Sequence, residues 1–339
     1  MKNFYCQCGQ PVFFDNSACI HCGTVLGYAF SQARMVSLEA SGDEWRDIEQ
    51  GDLYRLCGNR TQHKVCNGIV NSTDSEIFCI ACRLNHTIPD LSEPANLLRW
   101  RKIEQAKRRL IYGLLSRDLP LELSVAGYPR GMMFEFLEDQ RSNPNMPEEF
   151  VTTGHRDGMI TLNVMEADDV ARAVQREQSA ERYRTVLGHF RHEAGHYYYE
   201  LLSAQERGFE ALFGDPLLPY TEALNLYYEQ GPRAGWEQDF ISAYASVHPL
   251  EDWAECFAHY LHTLDTVETA VARDVIAPLK EDGTIEPLLE CWESLAVTIN
   301  ELNRGLGLRD AYPFFVTPGV ANKLRFVDEA VRSHSRNNG

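Results

Sequence analysis

Residues 188–200 read Gly-His-Phe-Arg-His-Glu-Ala-Gly-His-Tyr-Tyr-Tyr-Glu. Within this stretch, His192-Glu193-Ala194-Gly195-His196 is an H-E-x-x-H pentad. Because an α-helix turns once in about 3.6 residues, His192 and His196 lie on one face and can bind a single metal ion. Glu193 lies one position further round, where its carboxylate can reach a water molecule held at the open metal position. The pentad therefore predicts a zinc site with a general base beside it.

The segment around the pentad is typical of a helix. Residues Glu181–Leu202 contain no proline, and their apolar side chains recur at helical spacing. We therefore expect one continuous helix over this range, with both histidines on it. The alternative interpretation is an ordinary surface helix on which the two histidines bind no metal ion.

The cysteines are concentrated near the N-terminus, where eight of the ten lie between residues 6 and 82. They form two groups: Cys6, Cys8, Cys19 and Cys22, followed by Cys57, Cys66, Cys79 and Cys82. The chain shows no apolar signal segment at its start, and clustered cysteines in a cytoplasmic protein favour zinc over disulfides. The sequence thus predicts two closed, structural zinc sites, each with four thiolate ligands.

Histidines near each group are alternative ligands. The stretch Cys19-Ile20-His21-Cys22-Gly23 has the C-x-x-C-G spacing of a zinc-ribbon knuckle. The preceding pair has C-x-C spacing, one residue shorter than usual, so His21 is an alternative to Cys8. His63 and His86 are alternatives in the second group.

The composition is that of a soluble, acidic protein. The chain has 339 residues, of which 44% are apolar, and a formal net charge of −17. It has no apolar stretch of about eighteen residues, so we expect a cytoplasmic protein that does not contact a membrane. A body this acidic would repel a phosphate backbone, which makes a nucleic-acid partner unexpected.

The order of motifs predicts an α+β protein with four parts. They are a zinc ribbon at 1–27, a second zinc-ribbon-like module at 28–90, a linking helix at 91–115, and a mostly helical domain with a small β-sheet at 116–339. In the last part we predict strands at Leu121–Val125, Met132–Phe136, Phe150–Thr153 and Met159–Val164. The dipeptide Asp157-Gly158 predicts a hairpin turn ahead of the last of these strands.

A catalytic zinc has three protein ligands, so a third must lie outside the pentad. Residues 197–247 contain no histidine, and Glu251 is the best candidate, near a helix start marked by Pro249. Glu255, one turn further on, is expected to accept a hydrogen bond from a ligand histidine and so fix its orientation. The alternative is that Glu251 only stabilises the helix N-terminus through its charge.

The chain resembles a bacterial family of zinc-binding metallopeptidases that have N-terminal zinc ribbons. The matching stretches, besides the paired cysteine groups, are Val151-Thr152-Thr153-Gly154-His155, Glu166-Ala167-Asp168-Asp169, Tyr183-Arg184-Thr185, the pentad segment, and His248-Pro249-Leu250-Glu251-Asp252-Trp253-Ala254-Glu255. Glu251 and Glu255 are also similar to the gluzincin plan, in which a glutamate on a downstream helix completes the zinc site. The resemblance implies a gluzincin-like zinc hydrolase and does not supply a substrate.

Together these patterns predict a cytoplasmic zinc peptidase with one catalytic and two structural Zn²⁺ ions. Glu193 would act as the general base on a peptide or protein substrate, and His248 or Tyr244 would stabilise the oxyanion. One alternative is an adaptor that binds a protein partner through its ribbons and has a catalytically silent, metal-held domain. The other is a zinc hydrolase that acts on non-peptide amides.

Overall fold

The computed structural model describes residues 1–121, 131–143, 146, 150–178, 183–202, 204, 208–280 and 282–338. It is a mixed α/β protein with two compact units. The first unit comprises residues 2–116 and 130–173, and the second comprises Met1, 117–129 and 174–339.

The first unit carries both cysteine groups and all the strands of the described ranges. The strands are β1 (Phe4–Tyr5), β2 (Pro11–Val12), β3 (Val25–Ala29), β4 (Arg34–Ser41), β5 (Glu44–Asp47), β6 (Leu53–Leu56), β7 (Ile69–Asn71), β8 (Asn85–Thr87), β9 (Met133–Leu137), β10 (Gly154–Arg156) and β11 (Met159–Asn163). The helices that begin in it are α1 (Gly58–His63), α2 (Ile80–Arg83), α3 (Pro94–Leu115) and α4 (Asp169–Gln178).

Strands β3 to β7 form one antiparallel sheet in sequential order. One face is apolar because alternate residues of its strands point the same way, and it encloses a small core of Ala29, Val36, Leu38, Tyr54 and Ile69. Backbone bonds join this sheet to the second cysteine group, since Tyr28 N–H donates to the Asn67 carbonyl and Cys57 N–H to the Gly68 carbonyl. The sheet thereby fixes one side of that group.

A second sheet of the first unit has the order β10-β11-β9-β8. β10 and β11 form the antiparallel hairpin predicted from Asp157-Gly158, whereas β9 pairs in parallel with both β11 and β8. The helix expected at the end of the ribbons is α3, on which Trp100, Ile103 and Leu110 are fully buried.

Two strand predictions have different outcomes. The strand predicted over Phe150–Thr153 is wrong, because that stretch forms no strand and β10 begins only at Gly154. Its backbone bonds go to side chains: Val151 N–H donates to the Asp139 carboxylate, and the Val151 carbonyl accepts from Asn163. The strand predicted over Leu121–Val125 lies almost wholly outside the described residues.

The second unit contains helices and no strand in its described ranges. Its helices are α5 (Val186–Leu201), α6 (Glu210–Phe213), α7 (Tyr220–Gln230), α8 (Pro249–Ala272), α9 (Glu286–Gly305) and α10 (Pro318–Asn338). The pentad helix α5 starts later than predicted, because Thr185 caps it by accepting a hydrogen bond from Gly188 N–H at 2.9 Å. Residues 183–185 are not helical.

Helix α8 occupies the centre of the second unit. It begins at Pro249, as expected, and most of its residues are buried. It packs against α5, where the Tyr198 and Phe257 rings stack at 5.3 Å. It also packs against α10, where Tyr260 donates a hydrogen bond to Asp328. No helix in the described ranges combines the length and apolar character needed to cross a membrane.

Candidate metal centres

The two cysteine groups of the first unit are each gathered around a point. In each group the four Sγ atoms lie within 4.8 Å of one another. The sulfurs of Cys6 and Cys22 are 3.6 Å apart, and those of Cys66 and Cys79 are 3.7 Å apart. A tetrahedral zinc ion with Zn–S bonds of about 2.3 Å requires sulfurs about 3.8 Å apart. Both groups therefore have the spacing of a closed zinc site.

The histidines considered as alternative ligands lie elsewhere. The His63 ring packs against Trp100 at 5.2 Å, and His86 Nδ1 lies 2.9 Å from the Thr87 hydroxyl. His21 is exposed, and its ring nitrogens are not among the converging ligand atoms. Among the described residues, the structure thus groups four cysteines at each site without a histidine.

The two cysteine groups differ in exposure. Cys8 and Cys22 of the first group are exposed, and hydrogen bonds from Thr24 lower the pKa of the Cys22 thiol to about 6. The second group is buried at all four positions. There Gly68 N–H donates to Cys66 Sγ at 3.1 Å, the type of amide–sulfur contact that stabilises a thiolate. The second group is the more enclosed of the two.

A third candidate centre lies between α5 and α8 in the second unit. His192 Nε2 lies 2.9 Å from Glu251 Oε2 and 3.2 Å from His196 Nε2. His196 Nε2 lies 3.3 Å from Glu251 Oε1. Ligand atoms about 2.0 Å from a tetrahedral zinc ion are about 3.3 Å apart. The three predicted ligands therefore meet at a spacing close to that of a zinc site.

One oxygen of Glu251 supports this interpretation independently. The side chain is only 1% exposed, and Oε2 accepts no hydrogen bond from any described residue. A buried carboxylate oxygen without a donor costs about 1–3 kcal/mol or more, unless a cation offsets that cost. Two imidazoles and a carboxylate are a ligand set of catalytic zinc, so these residues fit the metal.

Glu255 is hydrogen-bonded to the ring nitrogen of His192 that does not face Glu251. His192 Nδ1 donates to Glu255 Oε1 at 2.8 Å, which leaves Nε2 as the ring nitrogen that faces Glu251. The other carboxylate oxygen accepts from the Ser242 hydroxyl at 2.5 Å. Burial would raise the pKa of Glu255, but its hydrogen bonds with His192 and Ser242 lower it to about 2. Glu255 is therefore ionised, and its hydrogen bond fixes the orientation of the His192 ring.

Gly195 allows the two helices to approach closely enough for this arrangement. A Cβ atom at this position would lie 2.8 Å from Ala254 Cα and 3.1 Å from the Ala254 carbonyl oxygen. The Trp253 indole N–H donates to the Gly195 carbonyl at 2.8 Å, which ties α8 to α5 immediately before His196. The residue before His196 is thus a glycine because α8 packs directly against it.

Glu193 lies beside the ligand group without belonging to it. It is 8% exposed, and its carboxylate is not among the converging ligand atoms. Burial raises the pKa of the Glu193 carboxyl. A carboxylate with a raised pKa is a better proton acceptor near neutral pH, which is the property that a general base requires.

The two residues considered as oxyanion donors have different surroundings. His248 is 3% exposed, and both ring nitrogens are engaged: Nδ1 accepts from Leu250 N–H, and Nε2 donates to the Leu218 carbonyl. It is the N-cap of α8. Tyr244 lies against the ligands, with its ring 5.9 Å from that of His192. Burial raises the pKa of Tyr244, so its hydroxyl remains a donor.

Sequence reasoning missed Tyr220 and Ser242. Tyr220, the first residue of α7, donates its hydroxyl to Glu251 Oε1 at 2.8 Å. Ser242 supports Glu255 and also accepts from Ala245 N–H at 3.1 Å, which fixes the turn that carries Tyr244. Neither belongs to a recognisable motif. The one available signal was a cluster of polar and aromatic residues between the pentad and Glu251.

Models of two known protein families match the chain. The chain belongs to the family described as "Putative zinc-binding metallo-peptidase", whose model matches residues 96–330. A model of a zinc-ribbon domain matches residues 3–93. The residues matched by the first model therefore include the pentad helix and α8, and those matched by the second include both cysteine groups.

Similar proteins occur in mycobacteria. Proteins of Mycobacterium tuberculosis (strain H37Rv) and Mycobacterium bovis are each 38% identical to this chain over 343 residues. The alignments cover 98% of this chain and 95% of each relative, and both relatives carry the name "uncharacterized protein". No solved structure matches the chain.

Proposed function

We propose that the protein is a zinc-dependent peptidase in which His192, His196 and Glu251 bind the catalytic metal and Glu193 is the general base. The observation that carries this proposal is that α5 and α8 bring His192, His196 and Glu251 together, with one ligand atom of each within 4.8 Å of the others. The presence of Glu193 beside those atoms favours turnover over a purely structural role, because a metal-held scaffold needs no base there.

Each residue of the centre has a separate task in the proposed reaction. When bound, zinc would lower the pKa of a water molecule and polarise the scissile carbonyl. Glu193 accepts a proton on its carboxylate and returns it to the leaving amine. Tyr244 keeps its proton because burial raises the pKa of its hydroxyl, so it can donate a hydrogen bond to a developing oxyanion. His248 is the weaker candidate, since both its nitrogens are engaged.

The proposal includes two further zinc ions, one in each cysteine group, with structural roles. Such thiolate sites are typical of reducing compartments, which supports a cytoplasmic location. The substrate would be a peptide or protein, and the first cysteine group, with its exposed edge, is available to a protein partner.

Cleavage of a peptide and denatured-protein library, with and without added zinc, tests the proposal. We expect metal-dependent hydrolysis that falls by about 10²–10⁴-fold in Glu193→Gln, with zinc content and folding unchanged. His192→Ala should lose both the third zinc ion and the activity. Glu200→Gln makes the same change on an exposed position of α5 and should keep full activity.

The outcomes separate the candidate functions. Activity of Glu193→Gln at the wild-type rate would overturn the mechanism. Cleavage of small amides but of no peptide would identify a hydrolase of another class. A zinc-loaded centre without hydrolysis of either substrate would favour the adaptor.

A further inference from the structure

The segment Leu217–Gln230, which we call the flap, lies next to the His–Glu centre and has no core of its own. None of its residues is buried, and neither is any residue that follows up to Phe240. Its helix α7 has 11 residues. A helix of fewer than about 12–15 residues is only marginally stable without tertiary packing. The position of the flap must therefore depend on a few specific contacts.

Those contacts converge on the metal centre. Tyr220 donates its hydroxyl to Glu251 Oε1 at 2.8 Å, and its ring lies 5.2 Å from that of His248. The Leu218 carbonyl accepts from His248 Nε2 at 3.0 Å. Two helical turns later, the Tyr227 ring lies 5.9 Å from that of Tyr244. The inward face of the flap thus touches the third ligand and the residues that flank it.

Glycines bracket the flap. Gly214 precedes it with φ +97°, and Gly231 follows it with φ +80°. Only glycine adopts such angles without strain, so the chain changes direction at both ends of the segment. Element ends of this type are where a segment can move as a unit while its neighbours stay packed.

The two oxygens of Glu251 have different surroundings as a result. Oε1 accepts from Tyr220 and lies 3.3 Å from His196 Nε2, whereas Oε2 has no hydrogen-bond donor among the described residues and lies 2.9 Å from His192 Nε2. A carboxylate held through one oxygen offers the other in a fixed direction. Hydrogen bonds of this type raise the affinity of a metal site because they orient its ligands.

We propose that Tyr220 is a positioning residue that couples closure of the flap to metal binding. With the flap closed, the Tyr220 hydroxyl fixes Glu251 so that Oε2 faces the metal. With the flap open, Glu251 loses that bond and binds the metal more weakly. This inference rests on the proposed zinc site.

The coupling must act in both directions. If flap closure raises zinc affinity by a given factor, bound zinc favours the closed flap by the same factor. Zinc should therefore slow amide hydrogen exchange in α7, although no residue of α7 is a metal ligand. A flap that only happens to lie near the centre would exchange at the same rate with and without the metal.

The experiment compares full-length wild type, Tyr220→Phe and Tyr228→Phe. Tyr228 is on the same helix and 70% exposed, so its variant removes a hydroxyl without touching Glu251. The first readout is the zinc affinity of the His–Glu site by chelator competition. The second is amide exchange of residues 221–230 with and without zinc. Far-ultraviolet circular dichroism confirms that each variant is folded.

We expect Tyr220→Phe to lower zinc affinity by about 10–100-fold and to abolish the zinc-dependent slowing of exchange. Tyr228→Phe should retain both properties. Wild-type zinc affinity in Tyr220→Phe, or equal exchange with and without zinc in the wild type, would overturn this inference and leave the peptidase proposal intact. A wild-type protein that binds no third zinc ion would instead overturn the proposed function.

Discussion

The cysteine groups of the first unit and the His–Glu centre of the second hold their ligands in different ways. Cysteine ligands lie at turns and at the ends of very short elements: Cys57 and Cys79 are the N-caps of helices of six and four residues. The His–Glu ligands lie on helices of 16 and 24 residues that pack against each other through buried side chains. A metal at the cysteine groups would therefore complete the local fold, whereas a metal at the His–Glu centre would bind to helices that already pack together.

Removal of one ligand from each kind of site gives the largest contrast. Cys79→Ser should unfold the cysteine-bearing part of the first unit, because structural zinc contributes about 10–16 kcal/mol of apparent binding free energy and short elements cannot replace it. His192→Ala should remove the third zinc ion and leave the second unit folded. Circular dichroism and elemental analysis check both outcomes. Equal loss of structure in the two variants would contradict the expected difference between the cysteine groups and the His–Glu centre.

Glu251 and Glu255 are expected to contribute differently to zinc binding at the His–Glu centre. Glu251→Ala removes a ligand and should nearly abolish zinc binding there. Glu255→Ala only frees His192 Nδ1 and should lower zinc affinity by about 10–100-fold. Chelator competition measures both affinities. An empty site in Glu255→Ala together with a filled one in Glu251→Ala would show that the two roles are reversed.

Gly195 tests whether helix packing supports the centre. Gly195→Ala places a methyl group 2.8 Å from Ala254 Cα, so the helices must separate, at a cost of about 1–3 kcal/mol in the free energy of unfolding. Gly305→Ala makes the same change at the end of α9, where nothing lies within 4 Å. It should stabilise the protein by about 0.4–1 kcal/mol. Thermal unfolding compares the two, and a stabilised Gly195→Ala would contradict the close approach.

Ser242 should give the smallest effect. Ser242→Ala removes the hydrogen bond to Glu255 but leaves the contact between Glu255 and His192, so we expect a loss of about 1 kcal/mol, or about fivefold in zinc affinity. Ser246→Ala is the control, because that hydroxyl donates only to the Ala243 carbonyl. If both serine variants bind zinc equally well, Ser242 does not support the ligand.

Local patterns predicted much of this arrangement. Helical periodicity identified the pentad helix, and Pro249 identified the start of α8. Glu251 followed from the need for a third ligand and the lack of histidine in residues 197–247. The spacing of Cys19 and Cys22 indicated a zinc knuckle. Each inference needed only residues close in sequence or a chemical rule for the metal.

Long-range contacts account for what the sequence did not predict. Tyr220 reaches Glu251 from 31 residues away, so its role depends on how α7 folds back. The predicted strand over Phe150–Thr153 has the right apolar pattern, but side chains distant in sequence satisfy the backbone groups of Val151. Parallel pairing of β8 with β9 likewise joins segments that are far apart in the chain.

All the residues of the His–Glu centre come from the second unit, on α5, α7, α8 and the segments between them. Substitutions in the ribbons therefore leave the donor set unchanged. Natural selection can act on the two units separately, so the ribbons can diverge in sequence while α5 and α8 keep the same side chains. Alignments of many relatives should then show lower substitution rates at His192, His196 and Glu251 than at the exposed positions around the first cysteine group.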